Sequence, residues 1–185
     1  MIIGLTGKMA AGKGTVAEYL KSKGYVYHSL SDILRDELKV RQIEENIPNL
    51  VKVGNELRAS GGPGILAQMT LKKISDAGEL KSIVDSIRNP KEIEELKRSN
   101  KFILIGVDAP QELRFKRMSG RGRVGDGMTH EEFKEQDAKQ AESADPNAQQ
   151  LLACFKEADR VVVNDGALEE LYQKIDNILI KINTD

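Results

Sequence analysis

The sequence predicts an α/β fold in which a five-stranded parallel sheet carries helices on both faces. Short apolar segments alternate with longer amphipathic segments along all 185 residues. The apolar segments contain few polar positions, which is typical of strands that are buried on both faces of a parallel sheet. A length of 185 residues fits one domain, so we expect residues 1–185 to form a single unit.

Each strand is predicted from an apolar run that is bounded by glycine or by turn-forming residues. The first run leads directly into Gly7, and an Asn-Asp-Gly turn at 164–166 follows the last. The predicted strands, in chain order, are Met1–Thr6, Tyr25–His28, Leu80–Val84, Lys101–Val107 and Arg160–Val163.

The helices between these strands are predicted from apolar periodicity and from start and stop signals. Gly24 ends the first helix, and Ser31 is the expected N-cap of the second. Thr129, with Glu132 three residues later, has the spacing of a capping box. The predicted helices are Thr15–Ser22, Asp32–Val40, Pro48–Ser60, Ile65–Ala77, Lys91–Arg98, Gln111–Met118, a helix from Glu131 to the break at Asp145, Gln149–Glu157 and Leu168–Ile182.

The composition excludes several classes of protein. Lys and Arg number 28 against 29 Asp and Glu, so the basic excess typical of nucleic-acid and polybasic membrane binders is absent. Cys154 is the only cysteine, which excludes an internal disulfide and a cysteine-based zinc cluster. The longest apolar run, Phe102–Val107, is far shorter than the ~20 residues that span a bilayer. We therefore expect a cytoplasmic protein with no membrane or nucleic-acid partner.

The segment after the first strand predicts a phosphate-binding loop. Its glycines let backbone N–H groups converge on an anion, the following helix adds positive partial charge at its N-terminus, and Lys13 adds a full charge. Gly14 stands where the standard pattern has Ser or Thr, so the nearest hydroxyl is that of Thr15. The residues expected to hold the nucleotide phosphates are Gly7, Ala10, Ala11, Gly12, Lys13, Gly14 and Thr15.

The GKG sequence followed by Thr resembles nucleoside monophosphate kinases of the adenylate-kinase-like branch of P-loop kinases. The opening IGLTGKMAAGKGTVAEYL is also similar to dephospho-coenzyme A kinase, although that family typically has GKS. The resemblance covers nearly the whole chain and is strongest to archaeal-type adenylate-kinase-related and dephospho-coenzyme-A-kinase-like proteins. It implies a P-loop kinase fold, with ATP and Mg²⁺ as cofactors and small nucleotides as substrates.

The resemblance also implies an acceptor site. Ser31–Arg35 is similar to the family's GD-x-LR segment, which makes Asp32 and Arg35 acceptor-binding candidates. Arg58 precedes a glycine-rich corner and is a second candidate phosphate clamp, in an insert that spans 31–77. Each candidate has a plainer alternative. Arg35 also fits a solvated helix face, Asp32 fits a first-turn acid that the helix dipole favours, and Arg58 fits an exposed helix end.

Asp85 and Arg88 form the second strong pattern. Asp85 follows the end of an apolar strand, where a carboxylate can hold Mg²⁺ directly or through water, together with Thr15, or can orient the acceptor. The plainer alternative is a strand-end turn with an incidental ion pair. The segment resembles the family's DG-x-R motif, with Ser86 in place of Gly. Arg88 then becomes a bidentate ligand of the acceptor phosphate.

A cluster of cations between 114 and 123 predicts a lid. Phosphoryl transfer favours arginines that arrive once both substrates are bound, because this excludes water. We expect a mobile glycine-rich loop from Ser119 to Gly127, within a lid of about 119–146. Gln136 stands where the relatives have Arg, which removes one expected cation. The cluster contains Arg114, Lys116, Arg117, Arg121 and Arg123, of which Arg117, Arg121 and Arg123 are the catalytic candidates.

The segment after the last predicted strand is similar to the donor-base pocket of these kinases. Asn164, Gly166 and Arg117 are therefore candidates for binding the donor nucleotide. The alternative is a plain Asn-Asp-Gly turn.

The leading functional interpretation is a kinase that moves the γ-phosphoryl group of Mg-ATP to a nucleoside or deoxynucleoside monophosphate. A dephospho-coenzyme-A-like acceptor is the alternative within the same class. A nucleotide-binding regulatory ATPase is the alternative from another class, and a nucleic-acid-end kinase is a third. Both a monomer and a homodimer are compatible with the sequence.

Overall fold

A computed structural model describes residues 1–99, 101–121, 127–141, 145 and 147–184. Five strands in this part of the chain form one sheet in the order β2-β3-β1-β4-β5, and every neighbouring pair is parallel. The predicted α/β class and five-stranded parallel sheet are confirmed. The strands are β1 (Ile2–Gly7), β2 (Val26–Ser29), β3 (Ser82–Asp85), β4 (Phe102–Asp108) and β5 (Arg160–Val163).

The helices connect the strands and cover the sheet. Among the described residues they are α1 (Lys13–Ser22), α2 (Leu30–Val40), α3 (Ile47–Gly61), α4 (Ile65–Asp76), α5 (Pro90–Leu96), α6 (Gln111–Arg121), α7 (His130–Ala141), α8 (Leu151–Lys156) and α9 (Leu168–Thr184). None of these helices is long and apolar enough to cross a lipid bilayer.

The start of α2 corrects the prediction that Ser31 is its N-cap. Ser29, the last residue of β2, has extended backbone angles and its hydroxyl accepts a hydrogen bond from the Ser31 N–H at 3.2 Å. Ser29 therefore caps the helix, which begins at Leu30. The strand passes into the helix without a loop, because one residue ends the strand and caps the helix.

The end of α6 corrects part of the predicted loop. The helix continues through Ser119 to Arg121, whereas the sequence predicted a loop from Ser119. The Ser119 hydroxyl donates to the Phe115 carbonyl one turn earlier at 3.1 Å, which is a bond that a helical serine makes. Residues 122–126, with Arg123 and most of the predicted loop, lie outside the described residues.

The capping box predicted at the start of α7 is confirmed. The Thr129 N–H donates to the Glu132 carboxylate at 2.7 Å, and the Glu132 N–H donates back to the Thr129 hydroxyl at 3.3 Å. The two bonds satisfy backbone donors at the helix start and fix where α7 begins.

Both faces of the central strands β1, β3 and β4 are buried, as their apolar sequences require, whereas the edge strands β2 and β5 are partly exposed. One cluster joins Ile3 and Ile83 of the sheet to Leu20 of α1 and Ile175 of α9. A second cluster on the other face includes Val84 and side chains of α2, α4 and α5. Consecutive residues of a strand point to opposite faces, so residues 83 and 85 share the face that α1 covers.

The strand order brings the functional loops to one edge. β1 lies between β3 and β4, and register pairs Gly4 with Val84 and Gly7 with Val107. The segment after β1 is therefore flanked by Asp85 and Asp108, the last residues of β3 and β4. Ligands of open parallel sheets bind beyond the carboxyl ends of the strands where the strand order changes direction.

Candidate functional site

The loop between β1 and α1 has the strand–loop–helix context that a phosphate-binding loop requires. Ala10 has φ of 58° and Gly12 has φ of 108°, so two residues in the left-handed region curl the backbone. Gly12 tolerates this angle because it has no Cβ, and a Cβ there would meet the side-chain amide of Asn164. The close approach of Asn164 thus depends on glycine at position 12.

The Lys13 side chain folds back over the start of this loop. Its ammonium donates to the Gly7 carbonyl at 2.7 Å and to the Lys8 carbonyl at 3.2 Å. The helix α1 begins at Lys13 rather than at Thr15 as the sequence predicted, so Thr15 lies in its first turn and Gly14 is exposed. The positive charge, the helix N-terminus and the curled backbone converge on one place, which suits a polyphosphate.

Asp85 is a buried carboxylate at the end of β3. One oxygen accepts from the Ser86 N–H at 2.5 Å and the other from the Tyr27 hydroxyl at 3.0 Å. Ser86 has φ of 66°, an angle more usual for the glycine of the family motif. Burial and the charge of Asp85 raise the pKa of Tyr27, so this phenol stays protonated and donates.

Asp85 and Thr15 have the donor atoms that Mg²⁺ prefers. Both offer oxygen, and each carboxylate oxygen of Asp85 accepts one hydrogen bond and keeps a further lone pair. The side chain of Asp85 points to the face of the sheet that α1 covers, the helix whose first turn contains Thr15. The donor set therefore fits the ion.

Sequence reasoning missed Tyr27. The parallel register pairs Ser29 with Asp85, and Tyr27 precedes Ser29 by two residues on the same face of β2. The alternation of side chains along β2 indicates that Tyr27 and Ser29 share a face. It identifies Tyr27 as a neighbour of Asp85 only once the pairing of β2 with β3 is known, and the two residues are 58 positions apart in sequence. The exposed ring of Tyr27 covers Asp85 from the edge of the sheet.

Arg88 occupies the corner between β3 and α5. Its guanidinium donates to the side-chain oxygen of Gln149 at 2.9 Å. Burial lowers the pKa of Arg88, while the charges of Asp85 and Glu92 oppose this shift. The positive charges of Arg58 and Arg35 also act on Arg88 and lower its pKa, so the three arginines predicted for the acceptor share one electrostatic environment.

Arg58 is buried and paired, which corrects the alternative that it is an exposed helix-end residue. It is 6% exposed and donates to Glu92, which is 0% exposed, at 2.9 Å. The second oxygen of Glu92 accepts from the backbone N–H groups of Arg88 at 2.9 Å and Asn89 at 3.1 Å. Glu92 thus links the Arg58 side chain to the backbone of Arg88.

Arg35 and Asp32 form a solvent-facing pair on α2. The Arg35 guanidinium donates to Asp32 at 2.7 Å and to Glu45 at 2.9 Å, and all three side chains are between 39% and 50% exposed. Exposed ion pairs of this kind contribute little to stability. A phosphate group could therefore replace either carboxylate at low cost, and the solvated-face alternative fits equally well.

Arg117 and Asn164 meet at the other side of the loop. Arg117 donates to the Asn164 backbone carbonyl at 2.9 Å and approaches its side-chain oxygen at 3.4 Å. The Asn164 amide nitrogen donates to the Ala11 carbonyl at 2.9 Å. Two residues predicted for the donor nucleotide are therefore joined to the phosphate loop, and Gly166 lies exposed two residues further along.

Arg114 is part of the scaffold, which corrects its place in the predicted lid cluster. It is 1% exposed and forms a two-pronged ion pair with Asp137 of α7 at 2.7 and 2.6 Å. It also donates to the Met9 carbonyl of the phosphate loop at 3.2 Å and to Ala109 at 3.0 Å. The sequence drew attention to Gln136 in this segment, whereas its neighbour Asp137 makes the structural contact.

The other lid residues are described only in part. Gln136 is partly exposed on α7, and Lys139 lies 3.9 Å from Glu135 of the same helix. Arg121 ends α6, and Arg123 lies outside the described residues.

The arginines of the described site form two groups. One donates to carboxylates and consists of Arg35, Arg58 and Arg114. The other donates to neutral oxygens and consists of Arg88 and Arg117. A carboxylate offsets much of an arginine's charge, whereas a neutral oxygen leaves that charge for a ligand. One arginine of the second group lies on each side of the phosphate loop's strand, beyond β3 and in α6.

Comparisons with known proteins agree with this description. Residues 3–139 match the family model described as an AAA domain. A UPF0200 protein of Pyrococcus horikoshii is 31% identical, over 98% of this chain and 97% of the relative. A UPF0200 protein of Sulfurisphaera tokodaii is 32% identical, over 98% and 97% of the two chains.

Solved structures share the fold. The protein TT1252 from Thermus thermophilus superposes with a TM-score of 0.60 at 24% identity, over 98% of this chain and 97% of that one. Shikimate kinase from Aquifex aeolicus superposes with a TM-score of 0.55 at 16% identity, with the same coverage. The chain therefore has a P-loop kinase-like fold.

Proposed function

The chain belongs to the UPF0200 family. We propose that it is an ATP-dependent phosphotransferase that acts on a nucleoside or deoxynucleoside monophosphate. One observation carries the proposal. The phosphate loop after β1 and the Asp85–Arg88 corner after β3 lie at the ends of adjacent paired strands. Two anionic substrates bound there would meet head to head.

The donor side of the proposed site is the phosphate loop. Gly7 and the segment 10–15 would bind the phosphates of ATP through backbone N–H groups, and Lys13 would add its ammonium charge. Thr15 and Asp85 would hold Mg²⁺, which supplies further neutralisation of the phosphate charge. Arg117, Asn164 and Gly166 would contact the rest of the donor nucleotide.

The acceptor side is the arginine corner. Arg88 would bind the acceptor phosphate, with Arg35 and Asp32 at its solvent side. Arg58 would support the site indirectly, because it pairs with Glu92, which accepts a hydrogen bond from the Arg88 backbone N–H. We assign Arg35 and Arg58, both within 31–77, to an acceptor-binding insert.

Positioning and charge neutralisation carry the proposed reaction. An acceptor phosphate oxygen attacks the γ-phosphorus, the bond to the β,γ-bridging oxygen breaks, and ADP leaves. Lys13, Arg88 and Arg117 would stabilise the charge on the transferring group, and Arg121 and Arg123 would join them from a lid of about 119–146. No covalent intermediate on the protein is required.

Two other functions remain as competitors. A dephospho-coenzyme-A-like acceptor also carries an adenosine with phosphate nearby, so the same arginines would serve it. Gln136, in place of an expected Arg, favours a regulatory ATPase that turns over slowly without an acceptor.

The test measures ADP release from Mg-ATP across a panel of acceptors. The panel contains the common nucleoside and deoxynucleoside monophosphates and dephospho-coenzyme A, with a blank that lacks acceptor. Lys13→Ala removes the loop cation, and Lys21→Ala is its control, because Lys21 lies on the same helix and pairs with Glu18 in solvent.

We expect one acceptor to raise the rate far above the blank, and Lys13→Ala to abolish that rise while Lys21→Ala keeps it. A rise with dephospho-coenzyme A alone would transfer the assignment to that acceptor. A rate that stays at the blank for every acceptor would contradict the proposal and favour the regulatory ATPase.

A further inference from the structure

Gln149 is the hydrogen-bond partner of Arg88, and its chemistry differs from that of the other arginine partners in the acceptor corner. Arg35 and Arg58 donate to carboxylates there. Arg88 donates at 2.9 Å to an amide oxygen, which carries no charge. Among the described residues, the central arginine of the corner thus keeps its charge without an ion pair.

The contact between Arg88 and Gln149 belongs to a wider junction. The Gln150 N–H donates to the Arg88 carbonyl at 2.7 Å, and the Asn89 side-chain amide donates to the Ala148 carbonyl at 3.0 Å. Three hydrogen bonds therefore join residues 148–150 to residues 88–89. The other two bonds hold residues 148 and 150 against residues 88 and 89, and this places Gln149 beside the Arg88 side chain.

A neutral oxygen at this position does two things at once. It fixes the direction of the guanidinium plane, which has five N–H donors in a rigid fork. It also adds no negative charge beside the guanidinium to those that Asp85 and Glu92 already contribute. The remaining donors can then take two phosphate oxygens side by side, the geometry in which arginine binds phosphate most strongly.

A carboxylate at position 149 would have the opposite effect on binding. It would reach the same nitrogen with nearly the same shape, but it would offset the charge of Arg88 and repel an incoming phosphate dianion. The corner already contains Asp85 and Glu92, and Glu92 is shared with Arg58 and two backbone N–H groups. One more negative charge would make the corner unfavourable for an anion.

We propose that Gln149 is a positioning residue of the acceptor site, which aims the Arg88 guanidinium while preserving its charge for a phosphate monoester. This inference rests on the proposed function, because it takes Arg88 as the acceptor's phosphate ligand. It assigns specificity for a dianionic acceptor to an uncharged side chain about sixty residues away in sequence.

The decisive variant is Gln149→Glu, which keeps the side-chain length and adds one charge. We expect the acceptor KM to rise about ten- to a hundredfold and kcat to fall by a smaller factor, because the Arg88 charge that is offset acts mainly on the bound acceptor phosphate and also on the transferring group. The melting temperature should stay at or above that of the wild type, since the new carboxylate gains an ion pair with Arg88. A purely structural role would instead lower the melting temperature.

The matched control is Asn147→Asp, which adds the same charge by the same isosteric change two residues earlier. The Asn147 side chain is outside the contacts that join this segment to Arg88. We expect its acceptor KM to stay within threefold of the wild type. An equal rise in both variants would show a general charge effect and would overturn the assignment to Gln149.

A binding measurement separates this inference from the kinase assignment. Calorimetric titration of the protein saturated with Mg-ADP uses inorganic phosphate and AMP as probes. We expect Gln149→Glu to weaken binding of both about tenfold or more. If the wild type binds them in this way but transfers no phosphoryl group, the proposed function fails while the anion site stands. Equal binding by wild type and Gln149→Glu, or no binding by either, would overturn the inference.

Discussion

Asp137 of α7 accepts two hydrogen bonds from the guanidinium of Arg114 in α6, at 2.7 and 2.6 Å. The same guanidinium donates to the Met9 carbonyl of the phosphate loop at 3.2 Å. The ring of Phe133 lies 5.4 Å from it. One buried ion pair thus connects the helices on both sides of 122–126 to the backbone that is proposed to bind ATP.

Removing Asp137 should destabilise the fold strongly. Asp137→Ala leaves Arg114 as a buried, uncompensated cation, and we expect a loss of about 3–5 kcal/mol in the free energy of unfolding. Urea denaturation measures it. Glu135→Ala is the control on the same helix, because its contact with Lys139 at 3.9 Å is exposed and should change stability by less than about 1 kcal/mol. Similar losses in the two variants would refute the role of the ion pair.

The pairing of Glu92 with Arg58 should show strong energetic coupling. Glu92→Gln removes the charge that compensates buried Arg58, and we expect a loss of about 3–5 kcal/mol. Adding Arg58→Met removes the stranded cation, while the amide oxygen introduced at position 92 can still accept from the backbone of Arg88. The double variant should therefore be more stable than Glu92→Gln alone, and a double-mutant cycle from urea unfolding measures the difference. Additive losses would contradict the coupling.

Tyr27→Phe should weaken the proposed Mg²⁺ site. The variant keeps the ring but removes the hydroxyl that holds Asp85 at 3.0 Å. A hydrogen bond to a charged group contributes about 1.5–3 kcal/mol, so the Mg²⁺ concentration for half-maximal nucleotide binding should rise about tenfold. Fluorescent ATP titrations at several Mg²⁺ concentrations measure this.

The chain provides a matched control for Tyr27→Phe. Tyr19 donates to Asp176 at 2.7 Å, which is the same kind of bond between α1 and α9. Tyr19→Phe should leave the Mg²⁺ dependence unchanged. If Tyr27→Phe behaves in the same way as this control, Tyr27 has no part in positioning Asp85.

The capping box of α7 should give stability a pH dependence. The hydrogen bond from the Thr129 backbone, followed by that from its side chain, lowers the pKa of Glu132 below its ordinary 4.5. The contribution is therefore fully present above pH 4.5 and is lost as the pH falls through the lower folded-state pKa. Glu132→Gln should make urea unfolding less pH-dependent between about pH 3 and pH 5, whereas the exposed neighbour Glu131→Gln should not. Identical pH profiles for these two variants would contradict this role of the cap.

Local patterns predicted the strands well because each is a short apolar run bounded by turn residues, and burial on both faces makes that run continuous in the central strands. β5 has the predicted bounds, Arg160–Val163, and β4 is displaced by only one residue at each end. Strand ends follow from hydrogen-bond register with neighbours, which composition does not encode. The N-cap of α2 was misplaced by two residues for a related reason, since Ser29 serves both the strand and the helix.

In the site, too, the features formed by consecutive residues could be predicted, and the contacts between distant residues could not. The phosphate loop was predictable because its parts are consecutive in sequence. The pairs Arg58–Glu92 and Arg114–Asp137 were not, because they join residues 34 and 23 positions apart on different helices. A local signal for Glu92 did exist, since Asn89 with Glu92 three residues later is a capping box that turns Glu92 toward the helix start.

In the proposed reaction a phosphoryl group passes from ATP to a second small molecule that Arg88 holds. The most direct measurement follows the label of γ-³²P-ATP, with Mg²⁺ and the panel of nucleoside monophosphates, into products separated by chromatography. We expect label in one nucleoside diphosphate, lost in Lys13→Ala and strongly reduced in Arg88→Lys. Label that appears only as inorganic phosphate, at a rate indifferent to every acceptor, would contradict it.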